Sequence, residues 1–98
     1  MTALPFAKKS HTHDPVPLGE CAKGWRGSIH GLTRIHSTGI DWPELERRLL
    51  EMGFVEGARV EIRHDGPIQR DPIAVRVDDI TIAVRRRDAN AILVSPAE

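Results

Sequence analysis

The hydrophobic period of the chain changes abruptly between Gly53 and Gly57. Before Gly53, the apolar residues at i, i+4 and i+7, which share one helix face, are Leu45, Leu49 and Met52. After Gly57, Val60 and Ile62 alternate with charged residues, as in a strand with one buried face. A glycine just past a helix readily adopts the left-handed conformation that ends it. The pattern predicts a helix that ends at Gly53 and a strand that begins after Gly57.

The start of this helix is indicated by the sequence "DWPE". Asp41 is a favourable N-cap residue, Pro43 suits the first turn, and Glu44 lies three residues after Asp41. An acidic N-cap followed three residues later by glutamate predicts a capping box, in which each side chain accepts a hydrogen bond from a backbone amide. The predicted helix spans residues 42 to about 52.

The clearest strand signal is the alternation between residues 73 and 84. The apolar residues of this stretch are Ile73, Val75, Val77, Ile80, Ile82 and Val84. Asp78 and Asp79 separate the two halves and predict a two-residue hairpin loop, because aspartate tolerates positive φ. This loop pairs residue 77 with residue 80 and places all six apolar side chains on one face.

The remaining segments predict further short strands. Residues 18–21 are predicted as a strand, and residues 25–35 as a strand interrupted by glycines. Residues 64–72 are rich in turn signals, and residues 87–90 fit one helical turn before a final strand at 91–95. The chain is therefore predicted to be mainly β, with five to six short strands and one inserted α-helix. Strands with one apolar face must close around a single core, which favours a small barrel.

The length and composition of the chain restrict its organisation and its partners. Its 98 residues suggest one domain, predicted at residues 17–96, after a flexible tail at residues 1–16. Fourteen basic and fourteen acidic residues give no net charge, which argues against a nucleic-acid partner. The lone Cys21 excludes an internal disulfide, and no apolar run approaches the length of a membrane span. Together with an N-terminus that lacks the apolar core of a signal peptide, these features favour a cytoplasmic protein.

Three ordered blocks of the sequence resemble one family. The blocks are "LERRLLEMGFVEGARVEI", "DPIAVRV" and "ITIAVRRRDANAILV". Together they resemble the small ferrous iron transport protein A, FeoA, whose fold is an SH3-like barrel. The resemblance covers roughly residues 18 to 95. The positions that match the motifs of the family's fold are Leu49, Met52, Gly53, Gly57, Asp71 and Pro72. One departure is Arg70, which stands where the family often has glycine.

The resemblance implies a small cytosolic accessory protein of bacterial ferrous iron uptake. The implied partner is the FeoB membrane transporter, contacted through its cytosolic GTP-binding domain. No cofactor and no catalytic residue are expected. Cys21 and the histidines have no spacing that indicates a nucleophile and its base, and "GFVEG" lacks the lysine of a phosphate-binding loop.

Protein–protein interaction is the function that these residues favour. The candidate contacts are the apolar Phe54 and Val55 after the helix and a set of arginines: Arg47, Arg48, Arg85, Arg86 and Arg87. Arginine is common at interfaces because its planar guanidinium makes bidentate contacts with carboxylates. Phe54 has a second interpretation, since a residue in its position often packs back onto the helix.

An alternative function is that of a stand-alone protein that binds Fe²⁺ through scattered side chains. The candidate ligands are His11, His13, Asp14, His30, His36 and His64. Imidazole and carboxylate groups suit Fe²⁺, but these residues are not spaced as a known motif, and ordinary surface histidines are the favoured interpretation. No metal site is therefore predicted.

Overall fold

The computed structural model describes residues 14–35 and 39–97. The described strands are β1 Val16–Pro17, β2 Arg26–Leu32, β3 Arg59–Ile68, β4 Asp71–Val77, β5 Ile80–Val84 and β6 Ile92–Pro96. The described helices are α1 Trp42–Glu51 and α2 Arg86–Ala89, together with a 3₁₀ turn at Leu18–Glu20.

The strands form one antiparallel sheet in the order β1-β6-β2-β3-β4-β5. Buried side chains from β2 to β6, from α1 and from the 3₁₀ turn belong to a single hydrophobic cluster. Because one sheet surrounds one core, the sheet must curve, and irregular pairing in β2 and β3 marks places where it bends. The predicted mainly-β barrel with one inserted helix is confirmed.

Helix α1 begins after Asp41, as predicted, but the capping box is absent. The Asp41 side chain makes no capping hydrogen bond, and the first helical bond runs from the Leu45 amide to the Asp41 carbonyl at 3.0 Å. The Glu44 carboxylate instead accepts hydrogen bonds from Arg47 and Arg48. Charged guanidinium donors bind a carboxylate more strongly than a neutral backbone amide does. The two guanidinium groups thus occupy the Glu44 carboxylate, and the predicted reciprocal cap was wrong.

Helix α1 ends in a Schellman motif centred on Gly53. The Gly53 amide donates to Leu50 O and the Phe54 amide donates to Leu49 O, both at 3.0 Å. Gly53 has a φ of 103°, which a residue with a Cβ adopts only with strain. Phe54 and Leu49 are both in the buried cluster, so the chain turns from the helix directly into the core.

The hairpin of β4 and β5 has the predicted register. Val77 pairs with Ile80, Val75 with Ile82, and Ile73 with Val84, around a loop in which Asp78 has a φ of 52°. The buried face is less extensive than the pattern implies, because Ile80 is 62% exposed. This exposure follows from the position of β5 at the end of the sheet.

Two further predicted local structures were wrong. Residues 64–68 do not form a turn; they continue β3 and pair with β4, and the turn is confined to Gln69 and Arg70, which both have positive φ. Residues 18–20 form a 3₁₀ turn and not a strand. In both places the pairing or packing with distant segments overrides local sequence preferences.

The end of the described chain follows the prediction closely. Helix α2 provides the expected single helical turn, and β6 provides the final strand. Most of the predicted tail, residues 1–13, lies outside the described residues, and Val16 pairs with Val94 in the sheet. Within the described ranges, no helix is long and apolar enough to cross a membrane.

Candidate interaction surface

The three consecutive arginines before β6 have different environments, and Arg86 is the one directed into the protein. Its Nη1 donates to Gly19 O at 3.0 Å and to Cys21 O at 2.7 Å, and its Nε donates to Arg70 O at 2.7 Å. Only 18% of its side chain is exposed. We call this set of contacts the Arg86 junction, since it joins the 3₁₀ turn, the β3–β4 turn and α2.

Acidic side chains complete the Arg86 junction. The Asp71 Oδ1 accepts a hydrogen bond of 2.8 Å from the backbone amide of Arg86, which is the first residue of α2. Asp65 Oδ2 lies 3.8 Å from Arg86 Nη2. Asp71 therefore holds the N-terminus of α2, where a negative charge also interacts favourably with the helix dipole. Arg86 is committed to internal contacts, so its predicted role as a partner contact is not supported by its geometry.

The other two arginines of the run line a shallow groove together with Arg48 of α1. This α1 groove has a volume of about 470 Å³ and is lined by Gly39, Ile40, Asp41, Glu44, Arg48, Arg85, Arg87 and Asp88. Its charged lining residues are three arginines and three carboxylates. The structure thus brings together Arg48, Arg85 and Arg87 from the predicted contact set and separates them from Arg86.

The charges on α1 are organised around Glu44. Its Oε2 accepts hydrogen bonds from Arg47 Nη2 at 2.7 Å and from Arg48 Nε at 3.1 Å, and Arg47 also donates to Glu51 at 3.0 Å. These hydrogen bonds lower the pKa of Glu44 and raise the pKa of Arg47. Arg47 thus lies in an ion-pair ladder on the exposed helix face, whereas Arg48 also borders the α1 groove.

The corner after α1 exposes a smaller apolar surface than predicted. Phe54 is completely buried, so it is not available for a partner, and it lies in the same buried cluster as Leu45 and Leu49 of α1. Val55 is 45% exposed, and so is Leu50 on the last turn of α1. Leu50 was missed in the sequence, although an apolar residue beside the charged positions of an amphipathic helix is a readable signal.

A second groove lies on the outer face of the sheet. It has a volume of about 690 Å³, and its charged lining residues are Arg26, Arg59, Glu61, Arg76 and Asp78. Arg26 pairs with Glu61, and Glu61 pairs with Arg76, so the charges alternate across β2, β3 and β4. This sheet-face groove was not predicted from the sequence, although each of its arginines occupies an outward position of an alternating strand.

The described residues offer no arrangement that suggests catalysis or metal binding. Cys21 is buried, its thiol lies 3.5 Å from Pro17 O, and burial raises the pKa of the thiol above its ordinary value, which disfavours the nucleophilic thiolate. Residues 14–35 and 39–97 contain no group of three or more potential metal ligands. His30 and His64 are exposed on separate strands, while His11, His13 and His36 lie outside the described residues.

Comparison with known proteins identifies the family. The FeoA domain model matches residues 16–96, which includes every strand of the sheet. The chain belongs to the FeoA family. This family is associated with ferrous iron transport, and the motif positions at Gly53, Gly57 and Asp71-Pro72 all lie within the matched range.

A curated relative joins this domain to a transporter in one polypeptide. The Fe(2+) transport protein A/Fe(2+) transporter FeoB fusion protein of Porphyromonas gingivalis is 35% identical over 63 residues. The match covers 64% of this chain and 7% of the fusion protein, so the chain corresponds to a small part of that relative.

Solved structures of FeoA proteins have the same fold. FeoA of Stenotrophomonas maltophilia, described as an SH3 domain protein and solved in complex with zinc, superimposes with a TM-score of 0.64 at 27% identity. The alignment covers 80% of this chain and 87% of that one. The FeoA-like protein of Clostridium acetobutylicum gives a TM-score of 0.72 at 24% identity and covers 87% and 90% of the two chains. The predicted SH3-like barrel is thereby confirmed.

Proposed function

We propose that this protein is a non-catalytic accessory protein of ferrous iron uptake that acts in the cytoplasm by binding the GTP-binding domain of a FeoB transporter. The observation that carries the proposal is the relative in which FeoA and FeoB form one chain. A covalent link keeps two domains at high effective concentration, which is useful when the domains work on one another. In this chain a non-covalent interface would serve the same purpose.

The α1 groove is the surface that best fits such a partner. Arg85 and Arg87 enter it from the segment around α2, and Arg48 enters it from α1, so two rigid elements set their separation. Asp41, Glu44 and Asp88 add acceptors to the same groove. A groove with both charge signs favours a partner with the complementary pattern and thus contributes selectivity more than affinity.

Leu50 and Val55 supply an apolar contact toward the other end of α1. Each side chain is 45% exposed, and the two together form too small an apolar surface for a stable interface without further contacts. A partner that covers α1 along its length would contact both the apolar pair and the charged groove. The expected complex is of the transient class, with a modest interface.

A direct titration against the isolated GTP-binding domain of FeoB tests this proposal. The domain is used without nucleotide, with GDP and with a non-hydrolysable GTP analogue, and binding is measured by calorimetry. Arg85→Glu and Arg48→Glu are each expected to weaken binding by about tenfold or more, since charge reversal introduces repulsion at the interface. Arg59→Glu, in the sheet-face groove, is the matched control and should change the affinity by less than about threefold.

Two results would contradict the proposal. Absence of binding in all three nucleotide states, combined with unchanged iron uptake after deletion of the gene, would exclude the FeoB partnership. Equal weakening by Arg59→Glu and Arg85→Glu would keep the partner but exclude the α1 groove as the contact. Backbone amide shift changes on titration would then locate the surface directly.

A further inference from the structure

Strand β5 forms one edge of the sheet. It pairs with β4 on one side, and no strand within residues 14–35 and 39–97 pairs with its other side. The opposite edge of the sheet is β1, which has only two residues and contains Pro17. A short edge strand with proline is a poor template for another strand, whereas β5 has five residues and no proline.

The outer side of β5 presents backbone groups that pair with no strand of the part of the chain that the structure describes. In an antiparallel pair, residue pairs that exchange hydrogen bonds alternate with pairs that do not. Val77 and Ile80 flank the two-residue loop and exchange hydrogen bonds, so Val75 and Ile82 do the same. The amide and carbonyl groups of Thr81 and Ala83 must therefore be directed away from β4, and both residues are exposed.

The side chains of β5 do not discourage pairing. Edge strands commonly carry a charged residue or a bulge that prevents association, but the sequence "ITIAV" has no charge, and its pairing with β4 is regular. Ile80 is 62% exposed, although its neighbours on the same face point into the core. A second strand along β5 would cover Ile80 and extend the apolar face of the sheet.

The charges at the two ends of β5 identify the strand that fits. Asp78 and Asp79 precede the strand, and Arg85 follows it. In an antiparallel pair of two identical strands centred on Ile82, Thr81 lies opposite Ala83 of the second copy and Asp79 lies opposite Arg85. Both Asp79–Arg85 contacts are then attractive. A parallel pair would place the like charges beside each other, which is unfavourable.

We propose that two copies of this chain associate through antiparallel β5–β5 pairing, with a twofold axis at Ile82. The outward groups of Thr81 and Ala83 make the new ladder, Ile80 is covered by the apolar residues of the second copy, and Asp79–Arg85 pairs close both ends. This assembly shares Arg85 with the proposed FeoB contact, but it requires no transporter and depends in addition on Asp79 and on the backbone of β5, which lie outside the α1 groove. An interface of two five-residue edges is smaller than a standard interface, so the expected dissociation constant is about 10 µM to 1 mM.

Sedimentation of the purified chain tests the pairing without any transporter present. The weight-average mass should rise between about 10 µM and about 1 mM protein. Asp79→Arg alone and Arg85→Asp alone should each weaken association about tenfold or more, because every dimer then contains two repulsive contacts. The double variant Asp79→Arg/Arg85→Asp should restore association to within about threefold. In this variant, the arginine at position 79 of each copy lies opposite the aspartate at position 85 of the other copy, so both contacts are attractive again.

A second measurement depends on the backbone and not on charge. Hydrogen exchange at the Thr81 and Ala83 amides should slow as the protein concentration rises, whereas the Ile82 amide, bonded to β4, should be protected throughout. Ala83→Pro removes one outward donor and should abolish association while near-native circular dichroism is retained.

The following outcomes would overturn the proposal. One is a chain that stays monomeric up to about 1 mM, and another is a double charge variant that fails to recover association although its circular dichroism is native. Concentration-independent protection of Thr81 and Ala83 would show that another part of the same chain covers β5. Each of these results excludes β5–β5 pairing and leaves the test of the FeoB partnership unaffected.

Discussion

Two corners of this molecule join a helix to a strand by different means. At the corner after α1, the chain is held by backbone hydrogen bonds from Gly53 and Phe54 and by burial of the Phe54 ring. At the corner that contains α2, the side chain of Arg86 binds three carbonyl groups and its amide binds Asp71. The first corner is apolar and local in sequence, whereas the second is polar and joins distant segments.

This difference shows where the role of a residue can be predicted from its neighbours in the sequence. Around Gly53, the hydrogen bonds that end the helix join residues within a few positions of each other, so their roles can be predicted from the local sequence. Around Arg86, the neighbours Arg85 and Arg87 have the same side chain and yet line the α1 groove. The path of the chain, and not residue type, decides which arginine is internal and which arginines line the α1 groove.

Truncation at the apolar corner should have the largest effect. Phe54→Ala removes a completely buried ring and leaves a cavity, so the free energy of unfolding should fall by about 3–5 kcal/mol. Urea denaturation followed by circular dichroism measures the change. Val55→Ala, one residue later and 45% exposed, is the matched control and should stay within about 0.5 kcal/mol. Similar losses for both would mean that Phe54 is not the core residue of this corner.

The polar corner should be somewhat less costly to break. Arg86→Ala leaves the carbonyls of Gly19, Cys21 and Arg70 without this donor and should reduce the free energy of unfolding by about 2–4 kcal/mol. Arg86→Lys should recover only part of the loss, because one ammonium cannot reproduce the geometry of the guanidinium. A lysine variant as stable as the wild type would show that charge alone, and not the planar fork, holds this corner.

The conformational contribution at the apolar corner should be smaller again. Gly53→Ala should cost about 1 kcal/mol through backbone strain, because φ is 103° while the added Cβ would meet Val77 Cγ1 at an ordinary 3.6 Å. Gly31→Ala is a suitable control, since no atom lies within 4 Å of the added Cβ and the residue does not have positive φ. Thermal unfolding of both variants separates strain from a general effect of glycine replacement.

The smallest effect on stability is expected at Arg85. Arg85→Ala should change the free energy of unfolding by less than about 0.5 kcal/mol, as for most exposed positions. Urea denaturation of Arg85→Ala and Arg86→Ala compares the contributions of these adjacent arginines to the free energy of unfolding. A loss at Arg85 that equals the loss at Arg86 would contradict the separation of the basic run into internal and groove-lining residues.

The parts of the fold that were predictable from sequence are those with local causes. The 3.6-residue period, the glycine at 53 and the two-residue Asp78-Asp79 loop specify α1 and the register of the β4–β5 hairpin with little help from the rest of the chain. The resemblance to the FeoA family additionally predicted the SH3-like type of barrel and the association with iron transport.

The parts that were not predictable depend on distant partners. Residues 64–68 contain glycine and proline and read as a turn, but pairing with β4 keeps them extended. Gln69 and Arg70 adopt positive φ although neither is glycine, so the residue types at these positions do not predict the turn. The carbonyl groups that accept hydrogen bonds from the Arg86 side chain are 16 to 67 positions away in the sequence. These hydrogen bonds position α2, and the α1 groove depends on the position of α2.

The position of β6 between β1 and β2 has a kinetic consequence. The final strand along the chain lies inside the sheet and pairs with the first two strands, so these pairings close the longest loops in the domain. A high contact order of this kind slows folding, because the entropy of loop closure is lost before the contacts form. Refolding should therefore be slow for the size of the chain, and the segment before β6 should gain lasting protection from proteolysis only once β6 is in place.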